Sequence, residues 1–364
     1  MTYQITAEKF FDGSSLHGPS KIVCDAGLVV SIDPFSGPAE HFFVSAGCVD
    51  LQMNGFAAID VSSASAEELV ALDMELLKRG TTGWLATLIT APLETLLERV
   101  QFLDEVYRSG RCPGMLGIHI EGPFLGTAPG AHRPDWIRPI DSTWLTYLPS
   151  SVKLITIAPE QDDAPKATQL LTQRNVVVSM GHSRPSAEQI SQMISSGAQM
   201  VTHLFNGMSG VHHRDPSLAL SALVDPRVVC GLIADMSHVS PDAVHLAFAA
   251  KGAEGICLVS DTVAWSSERA VRRGITVHNG APQLKDGTLA GSATPLAVCV
   301  QRCVTDAGVS LESAIRSAVS TPASLLGVTE QRSCTPGGDV NLVAFSEDLH
   351  VVQTWRRLVS QCAD

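Results

Sequence analysis

The stretch MLGIHIEG, Met115 to Gly122, decides how this chain must fold. It is apolar almost throughout, too short for a helix, and closes on a glutamate before Gly-Pro. Hydrophobicity that does not alternate belongs to a strand covered on both faces, as in a parallel sheet flanked by helices. Seven further runs have the same character: GCVDLQ from Gly47, GWLATLIT from Gly83, VKLITIAPE from Val152, VVVSMGHS from Val176, MVTHLFN from Met200, VVCGLIAD from Val228 and GICLVSD from Gly255. Helix-like segments separate most of them. SAEELVALDMELLKRG opens on an N-cap, Ser65, carries acids in its first turn and a leucine stripe, and closes on Gly80. SAEQISQMISSG and SPDAVHLAFAAKG repeat the design. Eight β-α units over roughly 280 residues predict a TIM-type (β/α)8 barrel, α/β in class.

The ends do not fit a barrel. Residues 1–45 and 333–364 read as short strands with turns, among them KIVCDAGLVVSI, DVNLVAF and HVVQTWRRLV. They are expected to pair into one small β-sandwich built from both termini, with residues 46–332 left for the barrel. An insertion after the eighth strand, GITVHNGAPQLKDGTLAGS, reads as a hairpin turning at Asn279-Gly280 or Asp286-Gly287.

Bulk composition narrows the function. Of 364 residues, 45% are hydrophobic and 17% charged, which suits a soluble, well-buried α/β enzyme. A net charge of -12 speaks against nucleic acid and membrane surfaces, which demand basic patches. A small anionic substrate is compatible if local Arg and His attract it. The nine cysteines form no Cys-x-x-Cys pair and read as reduced thiols of a cytoplasmic protein. MTYQITAEKFFDG lacks the basic start and apolar core of a secretion signal. No stretch approaches the roughly 18 uncharged apolar residues of a membrane helix.

The chemistry of such a barrel lies at the carboxyl ends of its strands. There the third strand offers Glu121, the fifth His182, the sixth His203 and the eighth Asp261. Each has a plainer reading. A histidine at a strand tip is usually a hydrogen-bonded core residue, Glu121 fits a loop acid, and Asp261 or Thr262 fits a helix cap. Four such residues at four tips of one barrel are hard to explain by accident. Glu plus two His is a catalytic zinc set that leaves a position for water. Asp261 is then the natural general base for that water. Arg214 reads either as a surface partner of Asp215 or as a bidentate clamp on phosphate or carboxylate. His238 is either a neighbour of the Ser240 cap or a sugar or anion contact on the same rim. His132 follows Glu121 in its loop. His212 and His213 read as solvated loop residues, and His119, opposite to its neighbours on the strand, as structural.

Together VDLQMNG, GIHIEGPFL, GHS, THLFNGM, HRDP, ADMSHV, LVSDT, LAGSA and STPASLLGV make the chain resemble the N-acetylglucosamine-6-phosphate deacetylase family of the amidohydrolase superfamily. The resemblance spans nearly the whole sequence. It implies Glu121, His182 and His203 as metal ligands, Asp261 as the catalytic acid–base, and His132 as a group that polarises the acetamide carbonyl. It also implies Asn206, Gly207, Arg214 and His238 as contacts to the sugar phosphate. Ala131, Leu289, Ala290 and Gly291 would complete the pocket. In the family the arginine can come from a neighbouring subunit, which implies a homodimer.

Many amidohydrolases carry His-x-His on the first strand for a second metal. Here the place holds Gln52 and Asn54, and amides ligate zinc poorly beside imidazole. One divalent ion, zinc, is therefore expected. The small-residue run GFAAID after it departs from the glycine-rich form usual in the family. Metal-bound water would attack the acetyl carbonyl, Asp261 taking its proton and passing it to the amine, to give acetate and glucosamine 6-phosphate. The galactosamine isomer, another amidohydrolase substrate, or a non-catalytic sugar-phosphate binder are the alternatives.

Overall fold

The computed structural model describes residues 2–278, 280–329, 333–357 and 359–362. The eight runs form eight strands: Cys48–Met53, Thr81–Ile89, Met115–Glu121, Val152–Ile157, Val177–Met180, Met200–Val201, Val229–Leu232 and Ile256–Leu258. They pair in parallel and in sequence order. A bridge between Met53 and Thr262, with the Asn54 N–H donating to the Thr262 carbonyl at 2.9 Å, brings the first and eighth together. The fold is the (β/α)8 barrel expected.

The helices between strands start where the sequence provides caps. Ser65 accepts from the Glu68 N–H while Glu68 returns the bond to the Ser65 N–H, opening the helix Ala66–Lys78. Ser186 and Gln189 repeat this for Ala187–Ser195, and Ser240 caps Pro241–Lys251. Each such cap is worth about 1 kcal/mol to its helix.

Side chains alternate along the barrel strands, outward to the helices and inward to the axis. Ile118 and Ile120 join the large core between strands and helices, as do Ile155, Val178 and Met180. The inward set is graded along the axis. Leu51, Leu85, Leu154 and Val177 fill the lower barrel. One layer higher, Thr87, His119, Thr156, Ser179 and Thr202 form a fully buried polar network. His119 bonds Thr156 at 3.0 Å and Thr87 at 3.3 Å, and burial lowers its imidazole to about 4, so it is a neutral core residue. Glu121 tops this face.

Both termini share one further sheet. Its order is Val359–Cys362, Val351–Arg356, Asn341–Phe345, His41–Ala46, Tyr3–Phe11, Ser20–Asp25 and Leu28–Pro34, with Leu16–His17 on the edge of Tyr3–Phe11. The Val29 N–H donates to the Gly338 carbonyl and Val340 to Gly27, each at 2.9 Å. These bonds fold the sheet round Phe10, Ile22, Val44, Leu342 and Trp355 as a β-sandwich. A buried ion pair docks it on the barrel: Arg356 grips both oxygens of Asp73, at 2.9 and 2.5 Å, and Trp84 Nε1 donates to the same carboxylate at 2.8 Å.

After the eighth strand, Thr276–His278 pairs with Ala281–Gln283, His278 opposite Ala281. Asn279, half of the first proposed turn, lies outside the described residues; Gly280 sits at φ +80. The second proposed turn lies within the described residues and is made, since the Leu284 N–H donates to the Thr288 carbonyl across Asp286-Gly287. None of the cysteines is disulfide-bonded, and all but Cys362 are buried. No described helix is long and apolar enough to cross a membrane.

Candidate active site

The third strand carries Glu121 as its last residue, while His182 and His203 follow the fifth and sixth strands by two residues. Three of the four rim residues hold an unusual backbone: His182 at φ +50, His203 at φ +30 and Asp261 at φ +49. Non-glycine residues enter this region at a cost of about 1–3 kcal/mol each, and such strain clusters at functional sites. Here it turns three side chains off their strands and over the barrel mouth.

Three donor atoms converge. Glu121 Oε1 lies 3.0 Å from His182 Nε2 and 3.0 Å from His203 Nε2, and the two Nε2 atoms are 3.0 Å apart. Ligands about 2.0–2.1 Å from one tetrahedral cation are spaced by little more than this. The tautomers suit ligation too. His182 Nδ1 faces the Ala128 carbonyl at 3.2 Å and His203 Nδ1 the Asn206 carbonyl at 3.1 Å. A carbonyl only accepts, so both Nδ1 atoms carry the proton and both Nε2 lone pairs are free. Burial alone would raise Glu121, yet the two imidazoles hold its carboxyl well below the usual range. Burial would lower His203, and Glu121 raises it instead.

His132 lies beside this set. Its ligand atom is within 4.8 Å of those of Glu121 and His182, so by proximity it too is a candidate ligand. Its hydrogen bonds argue for another task. Nδ1 faces Thr90 Oγ1 at 2.8 Å and the Thr90 backbone N–H at 3.4 Å. That N–H can only donate, so the His132 proton sits on Nε2, which is 3.8 Å from Glu121 Oε2. Burial and the neighbouring His182 press the imidazole down to about 3, so it is a neutral donor.

The two amides on the first strand act as donors to carboxylates. Gln52 Nε2 donates to Glu121 Oε1 at 3.0 Å, and Asn54 Nδ2 to Asp261 Oδ1 at 2.7 Å. Burial and the charge of Glu121 push the Asp261 carboxyl up to about 7, against the pull of His203, His238 and Asn54. The GFAAID loop is a small hairpin, Gly55–Phe56 against Ile59–Asp60, that presents Asp60 and Ser62 to the site.

All of this opens into one cavity of about 280 Å³. Glu121, His132, His182, His203 and Asp261 line it, with Ala131, Asn206, Gly207, His238, Leu289, Ala290 and Gly291. His238 Nδ1 donates to Asp235 at 2.8 Å. Burial would raise Asp235, but His238 and two backbone N–H groups bring it down to about 2, so it fixes the ring as a carboxylate. Gly207, at φ +60, leaves room for the ligands: a Cβ there would stand 2.9 Å from His182 Nδ1. Arg214 does not join them. It is exposed, outside the cavity of its own chain, in a loop where His212 pairs with Asp215 at 2.9 Å. The cavity also takes in Asp60, Ser62, Arg269 and Arg273, which the sequence reading passed over. The arginine-rich segment SSERAVRR in an acidic chain was the signal available.

Barrel, terminal sandwich and rim place the chain among the amidohydrolases. No family profile matches the sequence. Individual relatives match strongly. An N-acetylgalactosamine-6-phosphate deacetylase from Shewanella sp. (strain ANA-3) is 31% identical over 354 residues, covering 92% of this chain and 88% of that protein. The Mus musculus N-acetylglucosamine-6-phosphate deacetylase is 32% identical over 336 residues, 85% of this chain and 81% of that one. The solved structure of a mutant Mycobacterium smegmatis N-acetyl-D-glucosamine-6-phosphate deacetylase, in complex with N-acetyl-D-glucosamine-6-phosphate, superposes with a TM-score of 0.89 at 28% identity, over 98% of both chains. The chain belongs to the N-acetylglucosamine-6-phosphate deacetylase family, enzymes that hydrolyse amides.

Proposed function

We propose that this enzyme hydrolyses the acetamide of N-acetylglucosamine 6-phosphate to glucosamine 6-phosphate and acetate. The observation that carries the reading is the mutual 3.0 Å spacing of Glu121 Oε1, His182 Nε2 and His203 Nε2 in the cavity lined by Asp261. Those three residues hold one divalent cation, zinc, through an anionic oxygen and two neutral imidazoles, a donor set suited to that ion. When bound, the cation supplies Lewis acidity for water and carbonyl alike. Asp261 accepts the proton of the attacking water on its carboxylate. It then returns that proton to the nitrogen of the breaking C–N bond. A carboxyl near neutrality suits a group that must both take and give. Asn54 aims it through the 2.7 Å bond. His132 donates its Nε2–H to the acetyl oxygen and stabilises the charge that develops there.

Asn206, Gly207 and His238 hold the sugar phosphate, with Ala131 and Leu289–Gly291 shaping the pocket. Arg214, exposed on its own chain, reaches the phosphate of a neighbouring subunit, so the working form is a homodimer. The compartment is the cytoplasm, where nine unpaired thiols persist.

The relatives favour a second reading equally by similarity, since two of them are named for the N-acetylgalactosamine 6-phosphate. The isomers differ at one hydroxyl. Acetate release from both phosphates and from unphosphorylated N-acetylglucosamine tests the choice. The glucosamine derivative is expected to give the highest kcat/KM; a higher value for the galactosamine isomer reverses the assignment, and no release from either ends it.

A further inference from the structure

Cations are scarce in this chain, 25 Lys and Arg against 37 Asp and Glu, yet two arginines of one short helix line the substrate cavity. That helix, Glu268–Arg273, belongs to the insertion after the eighth strand. Arg269 lies 3.7 Å from Asp60 and bonds the Ser62 hydroxyl, so it has partial compensation. Arg273 has none of that kind. Its Nη2 donates to the Ala131 carbonyl at 2.8 Å, and no carboxylate among the described residues pairs with it. Burial and the neighbouring Arg269 lower its guanidinium, with Arg133 adding to the repulsion and Asp60 opposing it. A half-buried arginine without a counter-charge is costly to keep unless an anion completes it.

The position of this wall matters. Arg269 meets the loop after the first strand, and Arg273 the loop after the third. His132, next to Ala131, is anchored to Thr90 just past the second strand. Asn206 and Gly207 follow the sixth strand. With strands paired in sequence order round a ring of eight, the sixth faces the second. The arginines thus meet the loops that flank the second strand, while Asn206 and Gly207 belong to the segment after the sixth.

We propose that Arg273, supported by Arg269, is a second anion seat in this cavity, for an acidic substituent carried by the sugar at the end away from its phosphate. The group is a carboxylate or a phosphoryl ester, either of which a guanidinium meets with two parallel N–H donors. The inference rests on the reading of the cavity as an acetamido sugar phosphate site. It widens the substrate class to doubly acidic sugars.

Calorimetric binding to zinc-loaded Asp261→Asn protein tests it with two probes. One is N-acetylglucosamine 6-phosphate; the other is the same sugar bearing a 3-O-lactyl carboxylate. Replacing Arg273 by glutamine is expected to weaken the doubly acidic probe by about tenfold or more, and the monophosphate by less than about threefold. Arg273→Lys, which keeps the charge and loses the fork, is expected between the two, and carries the test should the glutamine variant not fold. Equal losses on both probes, or none on either, overturn the proposal. The functional reading fails separately, when unaltered protein releases no acetate from the monophosphate.

Discussion

Asp73 is a buried carboxylate and Asp261 a half-buried one at a cavity wall, and their surroundings could hardly differ more. Asp73 is saturated: Arg356 meets both of its oxygens and the Trp84 indole meets one. Asp261 has a single amide donor, Asn54, and stands near the charge of Glu121 in an open cavity. The first pair joins two parts of the fold, and its charge is spent on geometry. The second is left short of partners, so its proton affinity is free to serve a reaction. A buried charge that is fully paired reads as scaffold; one held at about 7 by desolvation and a like charge reads as chemistry.

The contrast is strongest in kinetics. Asp261→Asn should lower kcat about 10³- to 10⁴-fold, with metal content unchanged, by acetate-release assay and metal analysis. Activity within tenfold of the parent would remove Asp261 from the mechanism. The same variant has a stability signature. A carboxyl whose folded pKa is raised loses stability as pH climbs from its unfolded value towards about 7. Asparagine lacks that loss, so the metal-free variant should be at least as stable as its parent at pH 8.

Arg356→Met should do the opposite. It strands Asp73 as a buried charge and is expected to cost about 3 kcal/mol in urea unfolding, with kcat of the folded fraction unchanged. A fall in kcat with stability intact would mean that the two carboxylates are not separable.

Smaller effects probe the ligands. Gly207→Ala should push a methyl against His182 and weaken zinc about tenfold by competition with a chelator, while the positive φ costs the metal-free protein about 1 kcal/mol of stability. Zinc affinity should also fall by roughly tenfold per pH unit on acidification below the raised pKa of His203, because that imidazole must lose its proton to ligate. A flat profile from pH 8 to 6 would exclude His203 as a ligand.

Much of this was legible in one dimension. Eight non-alternating runs, three serine caps and the order of the motifs are local signals, and each named an element that the structure contains. Glu121, His182, His203 and Asp261 were legible because a barrel sends the tips of its strands to one rim. What Gln52 and Asn54 do there was not. In sequence they mark only the absence of a second pair of metal-binding histidines; their partners, Glu121 and Asp261, lie 69 and 207 residues away. Arg214, expected to serve the site of a neighbouring subunit, stands exposed outside its own chain's cavity.

The order of residues alone therefore determined the elements, their sequence round the barrel and the rim on which reactive groups gather, since periodicity and capping act over a few residues. Only the tertiary structure decided which ring nitrogen stays bare, which amide steadies which carboxylate, and where Arg269 and Arg273 face. Those are matters of ångström contact between distant segments, and in a medium that screens poorly such contacts set charge and proton affinity.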